Sequence, residues 1–253
     1  MDPSADYHVR CIAKQGSGVY VGGDFTLIGG KMRSGLFAID MTTSVITAWD
    51  PRVSAGNSIN TMFMDGGLLY VGGFFGAIKG VTKQSIAAVD LVTGVPTAWA
   101  PTCNLAVFGM QKLGSTVFVG GSFTSLGGQG RNFLGGVDAI TGLATAWNPA
   151  PNNQVSGLTL DGTDLYVGGT LTTIQATARN RAAAINTSGF TLPPWAPGAD
   201  GEVADITFSD QRPYSRGRSP TSAAHNACVL PRGTPPPVCS MRSTLHPTTL
   251  SMT

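Results

Sequence analysis

An internal repeat with a period of roughly 48 residues constrains this chain more than any other feature. The glycine pairs Gly22-Gly23, Gly72-Gly73, Gly120-Gly121 and Gly168-Gly169 each follow an apolar triplet, and they recur at nearly equal intervals. All four tryptophans, Trp49, Trp99, Trp147 and Trp195, keep the same rhythm. Each is followed two positions later by a proline: Pro51, Pro101, Pro149 and Pro197. A chain that repeats at this interval makes one small unit per copy and buries the apolar face of each unit against its neighbour.

The unit reads as four short strands. In the fourth copy these are Val155 to Leu160, then the turn dipeptide Asp161-Gly162, then Leu165 to Leu171, a loop, Ala182 to Ile185, and a last strand ending near Trp195. Short strands broken by turn residues and repeated at this interval predict an all-β fold: a partial β-propeller of tandem four-stranded antiparallel blades. Composition agrees, since 34 glycines and only 12% charged residues do not suit helices with wet faces. A helical solenoid would need a 3.6-residue apolar period, which these segments lack. The expected blades are 7–56, 57–104, 105–152 and 153–200, with the start of a fifth at 201–208.

The recurring residues have structural jobs in that fold. Gly22, Gly72, Gly120 and Gly168, with the glycines that follow them, lack side chains to pack and mark places where another backbone comes close. Asp40, Asp90 and Asp138, with Asn186 in the fourth copy, end the third strand. A carboxylate there accepts amide hydrogen bonds and closes a tight turn, helped by glycine in Thr93-Gly94 and Thr141-Gly142. The tryptophans are expected to bury their rings between blades.

On these residues the chain resembles a known family. The pattern VYVGGDFTLIGG with a basic residue a few positions on, AAVDLVTG, and the W-x-P ending are similar to the delta-60 or kelch-like β-propeller repeats of large secreted and surface proteins of bacteria. The resemblance covers residues 7 to 208. It implies a propeller fold and an extracellular or cell-surface setting, and it implies no particular activity.

Residues 209 to 253 break the pattern, although Val203 to Phe208 still fits the first strand of a fifth blade. Seven of the 16 prolines fall in this stretch, which has the composition of a disordered tail. A reading-frame error accounts for more. If each codon takes the last base of one written codon and the first two of the next, Ser219 to Ala227 decode as Phe-Thr-Asn-Ile-Gly-Gly-Thr-Gln-Arg, close to Phe25 to Arg33 and Phe123 to Arg131. The same shift permits Asp at Thr234, as far beyond Ser219 as Asp138 lies beyond Phe123. It also permits Gly at Val238, and the text of Asn148 to Asn153 at Thr244 to Thr249. The segment is therefore read as non-native, its frame lost between about 208 and 218. On that reading His225, Cys228, Cys239, His246 and the tail arginines carry no biology.

Little catalytic chemistry is visible. The first 208 residues hold 11 Lys or Arg against 13 Asp or Glu, so the basic surplus lies in the tail and no nucleic-acid partner is expected. No CxxC pair or ligand-like histidine spacing points to a metal, and no motif calls for a cofactor. His8 reads as a surface residue, and Asp24 and Asp65 make only a faint case for paired-carboxylate hydrolysis. One position stands apart: Arg33, Lys83, Arg131 and Arg179 each lie at the same distance after the first glycine of a pair. Propeller symmetry would set them in a ring able to attract an anionic ligand. The alternative is that each pairs with an acid or caps carbonyls within its own blade.

No apolar run is long enough to span a bilayer as a helix, so no membrane insertion is expected. The first residues lack a basic segment followed by an apolar one, so no signal peptide is read; the protein stays inside or its true start lies upstream. Two functions remain. The favoured one is a non-enzymatic structural or binding module of an extracellular or cell-surface protein, a fragment of a larger propeller that engages a glycan or a protein alongside its other blades or domains. The other is a carbohydrate-active or hydrolytic propeller with catalytic residues outside these blades.

Overall fold

The computed structural model describes residues 4–54, 58–209, 212–218 and 225–229, and every regular element among them is a β-strand. Most of the decoded stretch Ser219 to Ala227, and the decoded positions Thr234, Val238 and Thr244 to Thr249, lie outside the described residues. Each unit opens with a hairpin of an inner and a second strand. These are Val9–Gln15 with Gly18–Gly23, Ser58–Asp65 with Leu68–Phe74, Val107–Leu113 with Thr116–Gly121, Val155–Asp161 with Asp164–Gly169, and Glu202–Ser209 with Arg212–Arg218. A third strand then pairs antiparallel with the second: Leu36–Asp40, Ile86–Asp90, Leu134–Asp138 and Ala182–Asn186 in the first four units. The pairing matches from blade to blade, down to the bulge early in each inner strand, as between Val107 and Gly109 or Val155 and Gly157.

The strands add two details to the expected blade. The loop between second and third strands is not plain: it holds a small arm hairpin in each of the four blades. Leu27–Ile28 pairs with Lys31–Met32, Ala77–Ile78 with Val81–Thr82, Ser125–Leu126 with Gln129–Gly130, and Thr173–Ile174 with Thr177–Ala178. Both central turn residues take positive φ, as at Gly127 (59°) and Gly128 (81°), which is the two-residue turn that matches strand twist. Conversely, the fourth strand is rudimentary. It is Val45–Ile46 in blade one, single bridges at Pro96 and Ala144 in blades two and three, and scattered hydrogen bonds in blade four. The segment soon reaches the tryptophan, whose ring is buried in blades one to three, and a proline two positions later removes a ladder donor.

The blades join by one repeated fit. A Cβ added to Gly22 would meet Met62 and Ile59, one added to Gly72 would meet Val107 and Met110, and one at Gly168 would meet Val203 and Ile206. The first glycine of each pair thus makes room for side chains of the next blade, rather than for a backbone as expected. The second glycine does face a backbone: a Cβ at Gly121 would lie 2.2 Å from the Ala106 carbonyl oxygen. Val107, Met110, Val155, Leu158, Val203 and Ile206 are accordingly buried, and a side chain of this size contributes roughly 1.5–3 kcal/mol when fully buried. The same two positions in blade one, Val9 and Ile12, remain 45% and 64% exposed.

Straps between blades add to this fit. Val53, Cys103 and Pro151, each just past a Trp-x-Pro, bridge to Ile78, Leu126 and Ile174 in the arm hairpin of the next blade, and Ala5 does the same to Ile28. The following residue then caps that hairpin: Asp6, Asn104 and Asn152 accept amide bonds from Thr26, Thr124 and Thr172 at 2.8, 3.0 and 2.9 Å.

In the fifth unit the opening hairpin keeps the common register, with Val203 opposite Gly217 as Val155 is opposite Gly169. The next strand, His225–Val229, departs from it. Tyr214 lies opposite Val229, closer along the chain than Tyr166 is to its partner Ala184.

Candidate functional site

The four repeated cations occupy equivalent places on their blades. Arg33 donates from Nη1 to the Met32 carbonyl (2.8 Å) and from Nη2 to that of Thr47 (3.3 Å). Arg131 does the same to Gly130 (2.9 Å) and Thr145 (3.0 Å), and Arg179 to Ala178 (3.0 Å) and Pro193 (3.3 Å). Lys83 Nζ reaches the carbonyls of Thr97 (2.6 Å) and Trp99 (3.1 Å), and burial holds its pKa below the ordinary lysine value. Each cation therefore ties its arm hairpin to the segment where a full fourth strand would run, satisfying carbonyls that a ladder would otherwise serve. None of the four lines the central channel.

The aspartates close the turns that follow the third strands. Asp138 Oδ1 accepts the amides of Thr141 (2.7 Å) and Ile140 (3.0 Å), and Asp90 accepts those of Thr93 and Val92 in the same way. The backbone amide of Thr43, Thr93 or Thr141 is the main reason that Asp40, Asp90 and Asp138 titrate below the ordinary carboxylate value. Asn186 caps Ser188 and Gly189 without a charge. The tryptophans share one aromatic contact. Trp49, Trp99, Trp147 and Trp195 pack edge-on against Tyr20, Tyr70, Phe118 and Tyr166, with ring centroids 4.8–5.1 Å apart. Trp49 and Trp99 also donate their indole N–H to the Asp90 and Asp138 carbonyls of the next blade, both at 3.1 Å.

Inner strands of all five units line a central channel of about 430 Å³. Polar side chains of these strands link neighbouring blades. Asn60 donates to the Val107 carbonyl (2.9 Å), Gln111 to that of Leu158 (3.3 Å), and Lys112 pairs with Asp65 (2.6 Å). In blade one, Arg10 grips Asp24 with Nε and Nη2, and His8 Nδ1 stands 3.7 Å from the same carboxylate. Asp24 and Asp65 are thus held in separate ion pairs on different blades. The blade-linking residues Asn60, Gln111 and Lys112 were not singled out from the sequence because they differ from copy to copy; the signal was a polar residue within an otherwise largely apolar inner strand.

No family model matches this chain, and no curated protein sequence does. Solved structures do resemble it. A chain in the crystal structure of the Mitotic Checkpoint Complex superposes with a TM-score of 0.55 at 14% identity, covering 84% of this chain and 58% of that one. The computationally designed Ika8 protein gives 0.51 at 13% identity, covering 83% and 67%. The chain is a partial β-propeller. The WD40 domain of Neurospora crassa Pan2 matches more loosely, at 0.47 and 11% identity over 82% of this chain and 58% of that one. At such identities the likeness is one of fold, and the propeller spans 58% of the length of the first of these neighbours.

Proposed function

We propose that this propeller is a non-enzymatic binding module of an extracellular or cell-surface protein, built from repeats of the delta-60 or kelch-like kind and belonging to a larger ring. One observation carries the reading: the recurring charged groups are engaged in structural bonds, mostly within their own blade, while the turn tips offer side chains to a partner. Arg33, Lys83, Arg131 and Arg179 bond carbonyls, and Asp24 and Asp65 are ion-paired. Val92 and Ile140, by contrast, stand 86% and 83% exposed on adjacent turns. The half-exposed Val9 and Ile12 support a further blade against blade one. The test pairs a binding screen of the purified chain, against glycans and peptides, with hydrolysis assays on chromogenic glycosides. Saturable binding without product release is expected, and turnover of any substrate would refute it. Protease shaving of intact source cells should release its peptides if it lies at the surface.

We also take residues 209–253 to be written out of frame. What supports this is that the fifth blade keeps the common register up to Gly217 and departs from it in the following strand. Resequencing the gene should reveal a single-base insertion or deletion between codons 208 and 218; an intact frame there would refute the reading.

A further inference from the structure

Subtracting the repeat leaves the residues that blade geometry does not demand. Most positions on the outer corner where one blade meets the next are neutral. Between blades two and three they are Val81, Thr82, Ala100, Thr102 and Gly127, with Lys83 as the one cation; between blades three and four, Gln129, Gly130, Asn148, Ala150 and Gln175, with Arg131. The first corner differs at nearly every one of these positions. It carries Lys31, Arg33, Arg52 and Lys79 against a single carboxylate, Asp50. Three net positive charges therefore gather at one place, on a repeat region whose own acids outnumber its bases.

The geometry shows a groove at that corner. Two open cavities of about 570 and 450 Å³ adjoin and share Asp50 and Arg52 as lining residues. Lys31 and Met32 line the first, and Lys79 and Val92 the second. Asp50 fixes the cations without cancelling them: Arg52 Nε donates to its Oδ2 at 2.8 Å, and Arg33 lies 3.6 Å away. The Arg52 side chain remains 77% exposed. Lys79 Nζ is steadied by the Thr93 carbonyl at 2.8 Å. Met32 is 78% exposed and Val92 86%, so large aliphatic groups line the groove beside the cations.

We propose that this corner binds an acidic peptide segment of a protein partner, with carboxylates interleaved with aliphatic side chains. The charges call for carboxylates. The exposed Met32 and Val92 call for apolar side chains between them. A saccharide would want an exposed aromatic platform, and among the described lining residues the aromatic one, Trp49, is buried and packed edge-on against Tyr20.

The proposal rests on the binding-module reading, and its test separates the two. The full chain is titrated into a short fluorescein-labelled peptide of Glu and Leu spaced by Ser, and into a polyuronate of similar charge, and anisotropy is followed at low and high salt. The peptide should bind, more weakly as salt rises. The double variant Lys31→Glu/Arg52→Glu should lose about tenfold or more in affinity, as expected when two solvent-screened contacts turn repulsive. Met32→Ser/Val92→Ser should weaken binding and leave its salt dependence unchanged. All the altered side chains are exposed, and thermal midpoints within error of the parent show that the variants fold. Should the charge variant fail that check, Lys79→Gln with Val92→Ser takes its place, with the same weakening expected. Peptide binding untouched by these substitutions would remove this site and leave the binding-module reading standing. Preference for the polyuronate would overturn the peptide assignment, and no binding of either probe would overturn the site altogether.

Discussion

An alanine at Gly121 would place its Cβ 2.2 Å from the Ala106 carbonyl oxygen and 2.9 Å from Phe123 Cδ1, both closer than real Cβ atoms come. The oxygen belongs to backbone, so relief requires the two strands to part. Parting them weakens the bond from the Ser122 amide to Ala106 (3.0 Å), and displacing Gly121 strains the bond its own amide makes to Phe133 on the third-strand side (2.9 Å), each worth about 1 kcal/mol net. Crowding against the fully buried Phe123 adds roughly 1–3 kcal/mol, for a total of about 3–5 kcal/mol. In a chain of this size that lowers the thermal midpoint by roughly 6–20 °C. Gly120→Ala is a different kind of damage. Its Cβ would meet Val155 Cγ1 at 2.8 Å, a side chain of the next blade that has some freedom to yield, so the cost is about 1–3 kcal/mol. Val155→Ala removes the opposing methyls, so the double variant should be more stable than the sum of the singles implies, by about 1 kcal/mol. Gly130→Ala, with nothing within 4 Å and no positive φ, should leave the midpoint unchanged or slightly raised. Urea and thermal denaturation of the five variants check the series. Equal losses at Gly120 and Gly121, or a double variant that is merely additive, would refute the account of how the blades fit.

Trp147→Ala should cost about 3–5 kcal/mol, and Trp195→Ala less because that ring is only partly buried; an unchanged denaturation midpoint for Trp147→Ala would contradict the packing. Because Asp90 and Asp138 titrate below the ordinary 3.8 in the folded chain, they contribute stability above that value, and it is lost as pH falls through their lowered values. Asp90→Asn/Asp138→Asn, which keeps the cap as Asn186 does, should flatten the acid limb of the stability profile, measured as midpoint against pH. Ile59→Asp should abolish folding, since it buries an unpaired charge at a fully enclosed site, whereas Ile12→Asp at the open face should change stability by only about 0.5 kcal/mol. Circular dichroism of the pair decides the matter.

The parts of this protein that were legible in its sequence are those in which one residue type does the same local job in every copy. Asp138 caps amides just ahead of it in the chain, and Gly142 takes the positive φ of the same turn, so the motif needs no knowledge of the fold to be read. The phased tryptophans likewise announced a repeated burial site. The arm hairpins were less legible because their turns are built differently in each blade, from Gly29-Gly30 to Gln175-Ala176, and identity no longer marks the shared conformation. The role of Arg131 had two readings, and only the position of the Thr145 carbonyl, well beyond it in sequence, gave it a partner within its own blade.

What the sequence determined by itself was the period, the strand type and the turns, because these follow from backbone preferences within a short stretch of chain. Which residues of different blades meet was decided by tertiary structure. Gly168 lies against Val203 and Ile206, and Arg52 and Lys79 come to line one groove, because stacking sheets side by side brings together positions that no local preference links.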